Sequence, residues 1–228
     1  MPKLAVGLDF QDRASCLRAL EQLGDLPVVF KFGLRLLPLL TLKDFESFRD
    51  AKLSFFVDAK LHDIPSQVAG AVRTWSELGA SYLTLHLSGG RTMLREACQA
   101  RGPGLRLLGV SLLTSMDESD LSDLGISGST TTIVERWTTL AESEGIHSFV
   151  CSVSEAAAIR ARSSDAFLCT PGLTLPGDAP HADQRRTATL KQAVAAGSNL
   201  LVVARSIIHA PDPRARAVEA LAQLKEQS

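Results

Sequence analysis

The chain has 228 residues, a formal charge of −1 and 45% hydrophobic residues. That length suits one large domain with a substantial core, and the near-neutral balance gives no reason to expect a nucleic-acid or membrane partner. No apolar run approaches the ~18 residues of a membrane span, and Met1-Pro2-Lys3-Leu4 enters a strand with no basic and apolar leader, so a cytoplasmic protein is expected. Cys16, Cys98, Cys151 and Cys169 are widely spaced and form no C-x-x-C pair. They read as reduced, small core residues rather than a zinc or redox motif.

Strand-like and helix-like segments alternate along the whole chain. Leu4 to Asp9 reads as a strand, and Leu17, Leu20 and Leu23 then recur at helical spacing. Val28 to Phe32 is a second strand, followed by a mostly helical pattern from Leu34 to Phe48. Leu53 to Lys60 is the third strand. Pro65 suits the first turn of a helix, whose buried face carries Val68, Val72, Trp75 and Leu78 before Gly79 ends it. Tyr82 to His86 is strand four, and Gly89-Gly90 leads into a helix to about Ala100. Leu105 to Leu113 is strand five, with helical patterns at Asp117 to Leu124 and Thr132 to Glu144. Ser148 to Cys151 is strand six, then a short helix from Glu155 to Ala161. Phe167 to Thr170 is strand seven, with a helix from Thr187 to Ala196. Leu200 to Ala204 is strand eight, and Arg214 to Lys225 closes the chain. Eight βα units with no linker predict a single α/β domain over 1–228, a (β/α)8 TIM barrel. A doubly wound open sheet is the runner-up, weakened by the lack of G-x-G-x-x-G after strand one. Residues 171–186 form the longest irregular stretch, and loops of that length are usually functional lids or disordered.

The densest chemistry lies in Val57-Asp58-Ala59-Lys60-Leu61-His62-Asp63-Ile64-Pro65. Residues two apart on a strand point the same way, so Asp58 and Lys60 should leave the strand on one face, with Asp63 following in the turn. Buried charges cost several kcal/mol each, on the order of the values for unpaired ions, unless they pair or do chemistry. Barrel active sites lie at the carboxyl ends of the strands. There the chain offers Asp9, Lys31, Asp58, Lys60, His86, Thr114-Ser115, Thr170-Pro171-Gly172 and Arg205. Each has a plainer reading. Asp9 could cap a helix, the Asp58, Lys60 and Asp63 set could be a structural ion-pair network, and His86 between two leucines could be a core histidine. Asp12 and Asp117 read as helix caps. Lys31 inside an apolar strand is harder to dismiss, since lone buried lysines are rare.

Taken together these residues resemble orotidine 5′-phosphate decarboxylase, whose signature Asp-x-Lys-x-x-Asp followed by Ile-Pro reads here as Asp58 to Pro65. The likeness covers nearly the whole chain. It includes Leu8-Asp9, Lys31-Phe32-Gly33, Thr84-Leu85-His86 with Gly89-Gly90, and Leu113-Thr114-Ser115-Met116. Thr170-Pro171-Gly172, Asp183-Gln184-Arg185-Arg186 and Val202-Val203-Ala204-Arg205 complete it. The resemblance implies conversion of orotidine 5′-phosphate to uridine 5′-phosphate and carbon dioxide, in pyrimidine biosynthesis, with no cofactor and no metal. It implies Lys60 as proton donor to C6, Asp58 against the departing carboxylate, and Lys31 and Asp63 completing the charged row. Asp9 and Lys31 would hold ribose hydroxyls and Thr114 the base, with Ile64 and Gln67 counted among the substrate contacts. Gln184 and Arg205 would hold the phosphate with the backbone of Ala204. A homodimer is implied, with Asp63 reaching the neighbouring site.

Three positions depart from the family pattern: Thr174 stands where an arginine is usual, Ala204 where a glycine is usual, and Gln67 where threonine is common. A lost hydrogen bond to a charged group is worth about 1.5–3 kcal/mol, so phosphate binding should weaken by about tenfold or more. Two other readings compete. One is a magnesium-dependent sugar-phosphate lyase of the same superfamily, such as 3-keto-gulonate 6-phosphate decarboxylase. The other is a catalytically silent barrel that only binds nucleotides.

Overall fold

The computed structural model describes residues 1–113, 115–178 and 188–227. In chain order the strands are β1 (Lys3–Gly7), β2 (Val29–Gly33), β3 (Ser54–Leu61), β4 (Tyr82–His86) and β5 (Arg106–Val110), then β6 (Ser148–Val150), β7 (Phe167–Thr170), β8 (Leu173–Thr174), β9 (Ala188–Thr189) and β10 (Leu200–Val203). Eight of them close a parallel barrel, with β10 lying between β7 and β1. The helices α1 (Arg13–Leu23), α2 (Leu42–Asp50), α3 (Pro65–Glu77) and α4 (Gly90–Ala100) follow the first four strands. Between β5 and β6 lie α5 (Glu118–Asp123) and α6 (Thr130–Ser143), and α7 (Val153–Arg162) follows β6. The chain closes with α8 (Leu190–Ala195), α9 (Arg205–Ile208) and α10 (Pro213–Lys225). This is the expected (β/α)8 barrel.

Alternation along the strands sorts the side chains into two layers. Leu4, Val6 and Leu8, Phe30 and Phe32, Phe55 and Val57, and Leu83 and Leu85 pack outward among the helices. Ala5, Val29, Phe56, Tyr82, Leu108, Cys169, Leu200 and Val202 fill the barrel interior as a second cluster. The same parity turns Asp9, Lys31, Asp58 and Thr84 inward, at the strands' carboxyl ends. The outer layer beside β2 and β3 is aromatic. Phe32 stacks on Phe48 with ring centroids 5.5 Å apart, and Phe45 meets Trp75 edge-on at 4.9 Å. These rings fix α2 and α3 against the two strands that carry Lys31 and Asp58. The cysteines are free, three of them buried and Cys98 half-buried, and burial pushes the Cys16 and Cys151 thiols up to about 12.

Helix starts follow side-chain caps. Asp12 accepts from the Ser15 N–H, Asp117 from those of Ser119 and Asp120, and Ser152 caps α7. The cap of α1 is therefore Asp12, and Asp9 is left for another role. Two expectations are corrected. The pattern from Leu34 to Phe48 is not one helix: a 3-10 turn at Leu37–Leu39 comes first, and α2 starts only where Thr41 and Asp44 form a reciprocal capping box. Likewise Ala188–Thr189 is extended, pairing with Leu173–Thr174 across the base of the long loop before α8 begins.

Asp44 also joins α1 to α2. Its carboxylate accepts from Arg13 Nε at 2.9 Å and from the Thr41 N–H and O–H, both at 2.8 Å. The Arg13 hydrogen bond, opposed by burial and helped by Thr41, lowers its pKa from 3.8 to about 2. A carboxyl that is more acidic folded than unfolded stabilises the fold above its unfolded pKa and loses that contribution as pH falls through the folded one. Asp44→Asn should destabilise the protein by about 1–2 kcal/mol at pH 7. The gap from wild type should shrink between pH 4 and pH 2, about the window set by the two pKa values. Urea titrations across that range test it, and a gap that stays constant would refute the coupling.

Candidate active site

Four charges alternate across the carboxyl ends of β1, β2 and β3. Lys31 Nζ lies 3.7 Å from Asp9 Oδ1 and 3.3 Å from Asp58 Oδ2, and Lys60 Nζ lies 2.8 Å from Asp58 Oδ1. Lys31 and Asp58 are the most enclosed members: their side chains are 12% and 14% exposed, against 29% for Lys60 and 47% for Asp9. Burial alone would raise its pKa. Lys31 and Lys60, with hydrogen bonds from Lys60 and Thr84, outweigh burial and hold the carboxyl below its ordinary value. Asp58 is therefore anionic at neutral pH and bridges two ammonium groups.

Thr84, fully buried on β4, is the fixed point behind this pair. Its hydroxyl donates to Asp58 Oδ1 at 3.0 Å and accepts from the Lys60 backbone N–H at 2.9 Å. That second bond holds an unusual backbone. Lys60 has φ of +49°, and the β3–β4 register shifts between Val57 and Leu61. Simple strand alternation therefore does not describe Lys60, although its ammonium does reach the Asp58 carboxylate. The left-handed conformation is uncommon for a non-glycine residue and costs on the order of 1–3 kcal/mol. In the sequence Thr84 stands only as the first residue of Thr84-Leu85-His86. Its hydrogen bonds cross strands, so no local pattern could have marked it.

His86, one turn of alternation beyond Thr84, is half-buried rather than a core residue, with its ring centroid 5.5 Å from that of His62. Burial lowers its pKa first, His62 and Lys60 lower it further, and Asp58 opposes them. Asp63 does not join the row within the single chain. It is exposed, and its carboxylate accepts from the Ile64 N–H at 2.6 Å. Ile64 and Gln67 are also exposed, beside it at the start of α3. Thr114 and Gln184 lie outside the described residues.

At the β7 and β10 end, Thr174 is half-buried in β8, with its hydroxyl 3.5 Å from the Ala188 carbonyl. Ala204 follows β10 as the residue before α9, and Arg205 opens that helix. A Cβ added at Gly7 would lie 2.8 Å from the Ala204 Cβ and 3.4 Å from Lys31 Cε, so the Ala204 methyl fits only because residue 7 is glycine. Asp178, missed in the sequence, ties the described base of the long loop to this end. It accepts from the Leu175 N–H at 2.7 Å, from the Ser206 hydroxyl, and from Arg216 at 3.0 Å. Burial opposes its ionisation, but these donors lower its pKa.

The arrangement can present a fixed ammonium, braced by a carboxylate, to a reacting atom in the barrel mouth. The sequence matches the family described as "Orotidine 5'-phosphate decarboxylase / HUMPS family" over residues 2–220. A Thermobifida fusca protein named orotidine 5′-phosphate decarboxylase is 40% identical over 225 residues, covering 98% of this chain and 96% of that one. One from Anaeromyxobacter dehalogenans with the same name is 44% identical over 163 residues, covering 71% of each chain. Among solved structures, orotidine 5′-phosphate decarboxylase from Lactobacillus acidophilus is 26% identical with a TM-score of 0.86, covering 100% of this chain and 99% of that one.

Removing the Thr84 hydroxyl takes a donor from Asp58 and an acceptor from the Lys60 N–H. Thr84→Val should destabilise the fold by about 1–3 kcal/mol. It should also raise the Asp58 pKa toward its ordinary value, read by carboxyl-carbon NMR titration. An unmoved Asp58 titration would show that the hydroxyl does not help hold the charge.

Proposed function

The chain belongs to the orotidine 5′-phosphate decarboxylase / HUMPS family, and from that membership we propose that it decarboxylates orotidine 5′-phosphate to uridine 5′-phosphate and carbon dioxide, a step of pyrimidine biosynthesis, in the cytoplasm and without metal or cofactor. The observation that carries this reading is the Asp9–Lys31–Asp58–Lys60 row at the mouth of the barrel.

The bond from C6 to the carboxylate breaks, and its electron pair stays on C6. No ring position accepts that pair well, so the site must stabilise it from outside. The Lys60 ammonium, fixed before reaction, is the group for this. It gives its proton to C6 to form the new C–H bond and regains one from solvent. Asp58 stands against the departing carboxylate. Its repulsion is relieved as carbon dioxide leaves, and it keeps Lys60 aimed by Coulomb attraction and a hydrogen bond. Asp9 and Lys31 hold ribose hydroxyls, Thr114 meets the base, and Ile64 and Gln67 border the substrate. Gln184, Arg205 and the Ala204 N–H hold the phosphate. Binding of that remote group supplies energy used at C6.

Asp63 acts in the site of a second subunit, in a homodimer. Support for this is its exposure in the single chain beside Ile64, a large apolar residue that is 61% exposed. The test is the ultraviolet absorbance of orotidylate with purified protein. Turnover should be undiminished by a chelator and should fall by at least about 10³-fold in Lys60→Ala. Turnover that disappears with the chelator would favour a metal-dependent lyase, and an active Lys60→Ala would sink the mechanism.

Thr174 stands half-buried at the base of the loop, at the position of a usual phosphate-binding arginine. Thr174→Arg should lower KM by about tenfold with kcat little changed, as expected when uniform binding is gained. An unchanged or higher KM would mean that another group already supplies that contact.

A further inference from the structure

We propose that the amino-terminal end of the barrel is a second binding site, for a polyphosphate anion. A cavity of 580 Å³ opens there, lined by Lys3, Ser54, Ser81, Tyr82, Arg101 and Arg106 with the Gly102-Pro103-Gly104 turn. Lys3, Ser54, Tyr82 and Arg106 lie on β1, β3, β4 and β5, in the same inward parity as the apolar interior residues Ala5, Phe56 and Leu108. The barrel interior thus changes from apolar to cationic in its last layer.

No aspartate or glutamate lines the cavity. Among the described residues, no ion pair engages Lys3, Arg101 or Arg106, whereas seven other arginines pair with carboxylates: Arg13, Arg49, Arg91, Arg95, Arg162, Arg214 and Arg216. Neutral groups orient Arg106 instead. Its Nη1 donates to Ser148 Oγ at 3.1 Å, and its guanidinium carbon lies 4.4 Å from the centre of the Phe167 ring. Phe167 in turn stacks on Tyr82 at 5.7 Å. These contacts fix the guanidinium without neutralising it and leave other N–H donors for a ligand. Ser54 and Ser81 share one hydrogen bond at 3.0 Å, and one of the two hydroxyl protons remains to donate.

Three cations opening into one concavity with no counter-charge focus a positive potential there. Guanidinium groups match phosphate oxygens in geometry and charge. A ligand with several negative charges answers all three cations where a monoanion would not. Pyrophosphate or the phosphate chain of a nucleoside triphosphate has that chemistry. The site is at the opposite end of the barrel from the Lys60 row, so it does not depend on the proposed reaction.

The test is calorimetry on the full chain with inorganic pyrophosphate and, separately, adenosine triphosphate, with hydrogen exchange to locate the binding. We expect saturable binding, slowed exchange in residues 101–106, and at least a tenfold loss of affinity in Arg106→Gln. Lys3→Gln, an exposed position at the edge of β1, should show a loss in the same direction and keeps the test open if Arg106→Gln fails to fold. Tighter binding of the nucleotide assigns a nucleoside polyphosphate, and equal binding assigns the phosphate chain alone; both uphold the site. No binding at millimolar ligand, protection confined to the carboxyl end of the barrel, or unchanged affinity in both variants would overturn it.

Discussion

The largely enclosed Asp58 carboxylate is the constraint around which the carboxyl end of the barrel is organised. An isolated carboxylate taken from water into a protein carries an effective penalty of several kcal/mol, on the order of what a good ion pair returns. Asp58 meets that penalty with Lys60 at 2.8 Å, Lys31 at 3.3 Å and the Thr84 hydroxyl at 3.0 Å. The donors come from β2, β3 and β4, so only the closed register of three adjacent strands brings them together. Buried ion pairs are weak contributors to stability, since apolar replacements often serve as well or better. A row of four alternating charges is therefore poorly explained as a stabilising device. Its arrangement makes sense if the ammonium is needed for chemistry and the acids are needed to hold it.

The backbone supports the same view. Among the described residues two non-glycine residues have positive φ, Lys52 at +56° and Lys60 at +49°. Lys52 lies in the exposed turn after α2, where a left-handed residue commonly ends a helix, and its N–H bonds to the Arg49 carbonyl. Lys60 lies within a strand beside a shifted register, where nothing about strand geometry calls for that conformation. Thr84 fixes it from the next strand, and the same hydroxyl fixes Asp58. One buried threonine thus sets both the acid and the backbone of its partner. The ring contacts among Phe32, Phe45, Phe48 and Trp75 tie β2 to α2 and α3 beside it.

The barrel was legible in the sequence because its strands are short apolar runs whose two faces are both buried, and because caps such as Asp12 and Asp117 mark the helix starts. Lys31 and Asp58 could be placed inward by parity alone. Three kinds of feature were not legible. The 3-10 turn before α2 and the extended Ala188–Thr189 pair depend on contacts outside their own segments. Thr84 acts through bonds to residues 24 or more positions away, and Asp178 joins the nearby Leu175 N–H to the distant Ser206 and Arg216. Asp63 belongs to the signature by sequence, yet in the single chain its carboxylate accepts from the adjacent Ile64 N–H, and among the described residues no ion pair links it to the row. The motif is continuous in sequence, while the row it forms runs across three strands.

Ala204 connects the two halves of the site. β1 and β10 pair in register from Lys3 with Leu200 to Val6 with Val203, which sets Gly7 beside Ala204. A methyl on both residues would bring carbons to 2.8 Å, closer than side chains pack, so one of the two must be glycine. In this chain the methyl is on the β10 side. The same virtual Gly7 carbon would lie 3.4 Å from Lys31 Cε, so the space vacated at residue 7 is shared by the Ala204 methyl and the lysine stem. An alanine at 204 is thus a packing choice matched by the glycine at 7, at the junction between β1 and the residue that precedes Arg205.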